Sequence, residues 1–122
     1  MRSREADIQR IEDMLEAIHI IQSSLEGKSD DGFYNMDTVL KWGIVKLIEN
    51  IGEAANHISE ETKALSKNTD WRVIIGMRNR LVHGYDRINY VTVYEVAKHD
   101  LLQLKTEVEL LKEQVEKEFP NS

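Results

Sequence analysis

The chain has 122 residues, 41% of them apolar and 31% charged, with a formal net charge of −6 and no cysteine. That length suits a single domain over residues 1–122 with one core, and the composition excludes a disordered chain. Disulfides, zinc–thiolate sites and thiol catalysis are excluded, and the acidic balance excludes nucleic-acid binding over the whole surface. No apolar run approaches the roughly 20 residues that cross a bilayer. The start lacks the apolar core of a signal peptide, so a cytoplasmic protein with no membrane contact is expected.

Only one proline, Pro120, and six glycines punctuate the chain, and no stretch alternates as a strand would, so the pattern is helical throughout. A first helix reads from about Glu5 to Glu26, with Ile8, Ile11, Leu15, Ile18 and Leu25 in one apolar stripe that Gln22 interrupts. Gly27 to Gly32 is the clearest loop. A second helix starts near Asn35 or Asp37, both good N-caps, and runs to about Lys63. Its Leu40, Ile44, Leu47, Ile48, Ile51, Ala55 and Ile58 recur at core spacing. Gly43 and Gly52 lie inside it, each unfavourable by about 1 kcal/mol relative to alanine; such a glycine often admits the close approach of another helix. After a polar loop over 66–70, Thr69 or Asp70 caps a short helix from about Trp71 to His83. A connection over 86–90 leads into a last helix from about Thr92 to Lys117. Here Tyr94, Leu101, Val108 and Val115 stand seven apart, with Ala97, Leu104 and Leu111 between them, as the a and d positions of heptads do. A seam inside an antiparallel four-helix bundle and an intermolecular coiled coil both satisfy that pattern.

The residues that could carry chemistry gather at the end of the short helix, where Arg78, Asn79, His83 and Tyr85 fall within eight positions. Gly84 reads as the helix stop. A histidine in the last turn would lie near the negative end of the helix dipole, with an intrinsic pKa already close to neutrality. Arg78 is permanently charged and forked, suited to gripping a phosphate through two oxygens. An acid–base group and a phosphate clamp are the minimum needed to cleave RNA without a metal, because the 2′-hydroxyl is a built-in nucleophile. The same spacing also fits a histidine that caps its own helix and an arginine paired with a surface acid. Arg72, Arg78, Arg80 and Arg87 place a quarter of the sixteen basic residues around this segment, so a local basic patch is available.

Other chemistry is poorly supported. Glu16-Ala17-Ile18-His19 matches the Glu-x-x-His element of di-iron bundles, but a second such element is missing, so no metal and no cofactor is expected. The glycines form neither a Gly-x-Gly-x-x-Gly nor a P-loop pattern. His19, His57 and His99 lack clustered partners and read as surface or boundary residues. Trp42 and Trp71 read as core anchors rather than base-stacking platforms.

Arg78-Asn79-x-x-x-His83-x-Tyr85 resembles the Arg-x4-His-x-Tyr signature of the HepT-like toxins, within the HEPN superfamily of small helical proteins. The resemblance continues through Trp42-x-Ile44-Val45-x-Leu47-Ile48-Glu49-Asn50-Ile51-Gly52-Glu53-Ala54 and Trp71-x-x-Ile74-Ile75-Gly76-Met77-Arg78-Asn79. Asn35-Met36-Asp37 and Asp100-Leu101-Leu102-x-Leu104 also fit, so it spans roughly Ile11 to Lys112. Asn68-Thr69 stands where a proline-containing turn would be expected, a departure that touches the turn and not the chemistry. The resemblance implies a HEPN-type antiparallel four-helix bundle and a metal-independent RNA endonuclease acting as a homodimer. It implies Arg78 and His83 as the catalytic pair, with Asn79 orienting them. It further implies a cognate minimal nucleotidyltransferase antitoxin that silences the toxin by adding AMP to Tyr85. A non-catalytic HEPN scaffold for such a nucleotidyltransferase is the alternative. On a regular helix, residues five apart are turned by about 140° from one another. Arg78 and His83 of one chain therefore face one scissile bond only if the helix distorts at its end, whereas a two-fold pair brings two copies of each to one cleft.

Overall fold

The computed structural model describes residues 2–83 and 87–118, with the side chains of Arg2, Ser3 and His83 outside that description. The long first helix, α1 (Arg2–Leu25), buries Ile11, Met14, Ala17, Ile18, Ile21 and Leu25. This is the stripe the periodicity indicated, widened by Met14, Ala17 and Ile21. The expected loop after it contains a short helix, α2 (Asp30–Tyr34), capped by Ser29, whose Phe33 is fully buried and pins it to the core. Asp37 rather than Asn35 caps α3 (Thr38–Asn56), its carboxylate accepting from the Val39 N–H at 2.8 Å.

The second helix ends earlier than periodicity suggested. The chain turns at His57 and Ile58, and α4 (Glu60–Lys63) is a separate helix capped by Ser59. The cause is a buried carboxylate 52 residues away. Asp7, 3% exposed, accepts the Ser59 N–H at 3.0 Å and the hydroxyls of Ser59 and Thr62 at 2.6 Å each. The Ser59 N–H thus goes to α1 instead of continuing the α3 ladder. A buried carboxylate must be satisfied in this way, since leaving one unpaired costs far more than breaking one helical bond.

Of the two cap candidates, Asp70 rather than Thr69 caps α5 (Trp71–Ile75), and α6 (Met77–Leu81) follows after a break at Gly76. The chain then leaves the helical conformation, with Val82 at φ −120° and ψ 121°, and β1 (Val82–His83) pairs antiparallel with β2 (Arg87–Ile88). His83 is therefore not in a helical turn, and the helix-dipole argument for it does not apply. The register is Val82 with Ile88 and His83 with Arg87, and the Asn89 N–H reaches back to the Leu81 carbonyl at 2.8 Å. Gly84, Tyr85 and Asp86 lie outside the described residues.

The last arm is α7 (Tyr90–Glu95), a π-helical turn over Val96–Asp100, and α8 (Leu101–Glu118). Leu101, Leu104, Val108, Leu111 and Val115 are buried against the rest of this chain. The heptads thus form a seam inside an all-α antiparallel bundle and not a coiled coil between chains. Upstream the register shifts. Val93 is fully buried while Tyr94 is only half-buried, so the core position stands eight residues before Leu101 instead of seven. A π turn inserts one extra residue into the helix, which accounts for the difference. Among the described residues no helix is long and apolar enough to cross a membrane.

Candidate functional site

Gly52 sets where the motif segment lies. A Cβ at this position would stand 3.0 Å from the Ile74 carbonyl oxygen and 3.2 Å from that of Ile75. The C-terminal end of α5 therefore rests directly on α3, a contact that only a residue without a side chain permits. Trp71 fixes the other end of α5, its indole N–H donating to the Lys63 carbonyl at 3.2 Å. Thr69, just before α5, donates from its hydroxyl to Glu107 of α8 at 2.9 Å. Met77 and Leu81, both buried, hold α6 to the core and turn Arg78, Asn79 and Arg80 outward.

The sequence-predicted residues are only partly brought together. Arg78 is on α6, about half exposed, and its Nε–H donates to Glu49 Oε2 of α3 at 2.6 Å. This is the pairing with an acid that spacing alone allowed. Asn79 is exposed, and its backbone N–H binds the Gly76 carbonyl at 3.0 Å. The backbone of His83 lies in β1, two residues past the last helical one, so the helical offset between it and Arg78 is lost. The His83 side chain and the whole of Tyr85 fall outside the described residues. The basic patch is partly neutralised, since Arg80 pairs with Asp100 at 3.4 Å while Arg78 pairs with Glu49. Tyr94 offers no base, because desolvation, reinforced by Asp30, Glu95 and Tyr34, pushes its hydroxyl pKa above the ordinary value.

Trp42 is not a core anchor. It is 46% exposed, Val39 is 76% exposed and Leu40 57%, so the N-terminal half of α3 carries apolar side chains into solvent. Val39, Trp42, Lys46 and Glu49 follow one another at helical steps of three and four, and so share one face. Arg78 lies across the end of that face. Trp71, in contrast, is packed against the core.

The model of a family described as "Ribonuclease HepT-like" matches residues 14–111. The chain belongs to the HepT-like ribonuclease family. Among its relatives in that family is a Thermococcus cleftensis protein named "Probable ribonuclease HepT", 28% identical over 84% of this chain and 92% of the relative. Two Methanocaldococcus jannaschii proteins, each named "Putative RNase", are 27% and 29% identical over 81% and 90% of this chain and 90% of each relative. No solved structure is significantly similar to it. The HepT-like match includes Glu49, Gly52, Arg78, His83 and Tyr85, and excludes Asp7.

Sequence reasoning missed the part played by Glu49, which it named only within the family-like block from Trp42 to Ala54. The signal was present. A glycine that admits a neighbouring helix places the residue one turn before it within reach of whatever follows that helix. Among the described residues no three metal-binding side chains come together, and Glu16 and His19 are both exposed on α1.

Proposed function

We propose that this protein is the toxin of a toxin–antitoxin pair, an RNA endonuclease that needs no metal and uses Arg78 and His83, with Asn79 orienting them. Membership of a ribonuclease family carries this reading, together with an Arg78 that is held at the surface by α6 rather than buried. In the proposed reaction a histidine takes the proton of an RNA 2′-hydroxyl, which attacks the adjacent phosphorus. A second proton donor protonates the leaving 5′-oxygen, and arginines stabilise the charge that builds on the phosphorane.

The proposal includes a homodimer, because one protomer supplies a single Arg78 and a single His83. Its support is the solvent-exposed Val39–Trp42 stripe of α3, which is continuous with the side chain that Arg78 contacts. A second copy seated there would bury the stripe and bring the two motifs to one cleft. Silencing is assigned to a small nucleotidyltransferase that adds AMP to Tyr85. Each added phosphate would repel the RNA backbone, and each adenosine would fill the groove.

Induced expression with and without the partner, followed by RNA analysis, tests the whole reading. His83→Ala and Arg78→Ala should each abolish growth inhibition and RNA cleavage while melting close to wild type, and cleavage should survive EDTA. Undiminished toxicity in a folded His83→Ala protein would sink the assignment. Partner binding without any RNA cleavage by the wild type would favour a non-catalytic helical scaffold.

A further inference from the structure

We infer that Glu49 is the positioning residue for Arg78, holding its guanidinium so that the terminal nitrogens present a ready fork to a substrate phosphate. This role rests on the ribonuclease reading above. A guanidinium has five N–H donors, one on Nε and four on the two terminal nitrogens. Glu49 takes the Nε–H at 2.6 Å, and among the described residues the hydrogen bonding of Arg78 through its side chain is confined to that atom. Among the described residues nothing takes the outer edge, the one that binds two phosphate oxygens at once. An arginine side chain loses considerable rotamer freedom when it grips anything, and a carboxylate that already holds Nε removes part of that loss before substrate arrives.

The placement of Glu49 suits this work better than that of a casual surface acid. It stands next to Ile48, which is fully buried, on a helix whose contact with α5 is set by Gly52 one turn further on. Its other oxygen is 3.4 Å from Lys46 Nζ, so both carboxylate oxygens face cations and the cluster of Lys46, Glu49 and Arg78 stays net positive. The contact joins α3 to α6 across 29 residues of sequence. Exposed ion pairs contribute little to stability, so its loss should register in chemistry rather than in folding. A carboxylate beside a phosphate site also repels RNA slightly, so its removal offsets the affinity lost with the held fork and leaves KM little changed. Positioning therefore predicts a fall in kcat without a rise in KM. A purely electrostatic role predicts the opposite pattern, tighter binding at unchanged kcat.

The test is steady-state cleavage of a fluorogenic single-stranded RNA by the full chain, alongside wild type and His83→Ala. Glu49→Ala should lower kcat about 10- to 100-fold, with KM unchanged or lower and the melting temperature near wild type. Glu49→Gln keeps an oxygen acceptor for the Nε–H and should recover most of the activity. A Glu49→Ala kcat within about twofold of wild type would overturn the role, as would equal losses in the Ala and Gln variants. The Arg78 Nε–H resonance, assigned by its disappearance in Arg78→Ala, should exchange slowly with solvent in wild type and quickly in Glu49→Ala; unaltered exchange would also overturn it. If the wild-type protein cleaves no RNA, the ribonuclease reading falls and the catalytic role with it, while the Nε–H exchange still reports whether the contact exists.

Discussion

The two glycines inside α3 look alike in sequence, and the structure separates them. At Gly43 an added Cβ would meet nothing within 4 Å, whereas at Gly52 it would press on the Ile74 and Ile75 carbonyl oxygens at 3.0 and 3.2 Å. Gly43→Ala should therefore gain most of the helix-propensity difference, about 1 kcal/mol. Gly52→Ala gains the same propensity but forces backbone apart by a few tenths of an ångström. Overpacking costs roughly 1–3 kcal/mol, which leaves a net loss of about 1 kcal/mol. The two variants should thus differ by about 2 kcal/mol. For a chain of this size, with an unfolding entropy of about 2.1 cal/mol/K per residue, that separates their melting temperatures by roughly 8 °C. Thermal melts by circular dichroism at one protein concentration would measure it. Gly52→Ala should also lower RNA cleavage, because pushing α5 outward carries α6 and Arg78 away from Glu49. A Gly52→Ala protein as stable as Gly43→Ala would refute the close approach, and with it this account of how Arg78 is placed.

Asp7→Ala should destabilise the fold by about 3 kcal/mol, since it removes three hydrogen bonds and strands three donors on half-buried Ser59 and buried Thr62; urea unfolding would show it, and a shift below about 1 kcal/mol would contradict the network. Trp42→Glu should turn the proposed dimer into a species of about 14.2 kDa by light scattering, and a wild type that is already monomeric at micromolar concentration would remove the basis for the paired site. Tyr85→Phe should keep its toxicity, escape AMP addition and be poorly silenced by the partner, as read by intact-mass spectrometry and growth. Full silencing of a toxic Tyr85→Phe protein would make tight binding, not modification, the main control.

Helix content, the bundle and most of its core could be read directly, because apolar residues at three- and four-residue steps admit few other solutions. The caps could be narrowed to two candidates each, Asn35 or Asp37 and Thr69 or Asp70, for a related reason: Asp37 and Asp70 act on N–H groups two or three residues away. The motif Arg78-x4-His83-x-Tyr85, with its flanking blocks, was enough to point to the family. Where elements end was different. Asp7 breaks the second helix at Ser59 from 52 residues away, and no local propensity encodes that demand. The exit from helix at Val82 depends on pairing with Ile88, and the step from Tyr94 to Val93 as a core residue depends on a π turn that strict periodicity does not allow for. Trp42 reads as core by hydrophobicity, yet it is exposed, because the neighbouring helices leave the N-terminal half of α3 uncovered on that side. The partner of Arg78 was decided last of all. It required two helices to approach over Gly52, a long-range contact in which each side chain's neighbour is set by the other helix rather than by its own.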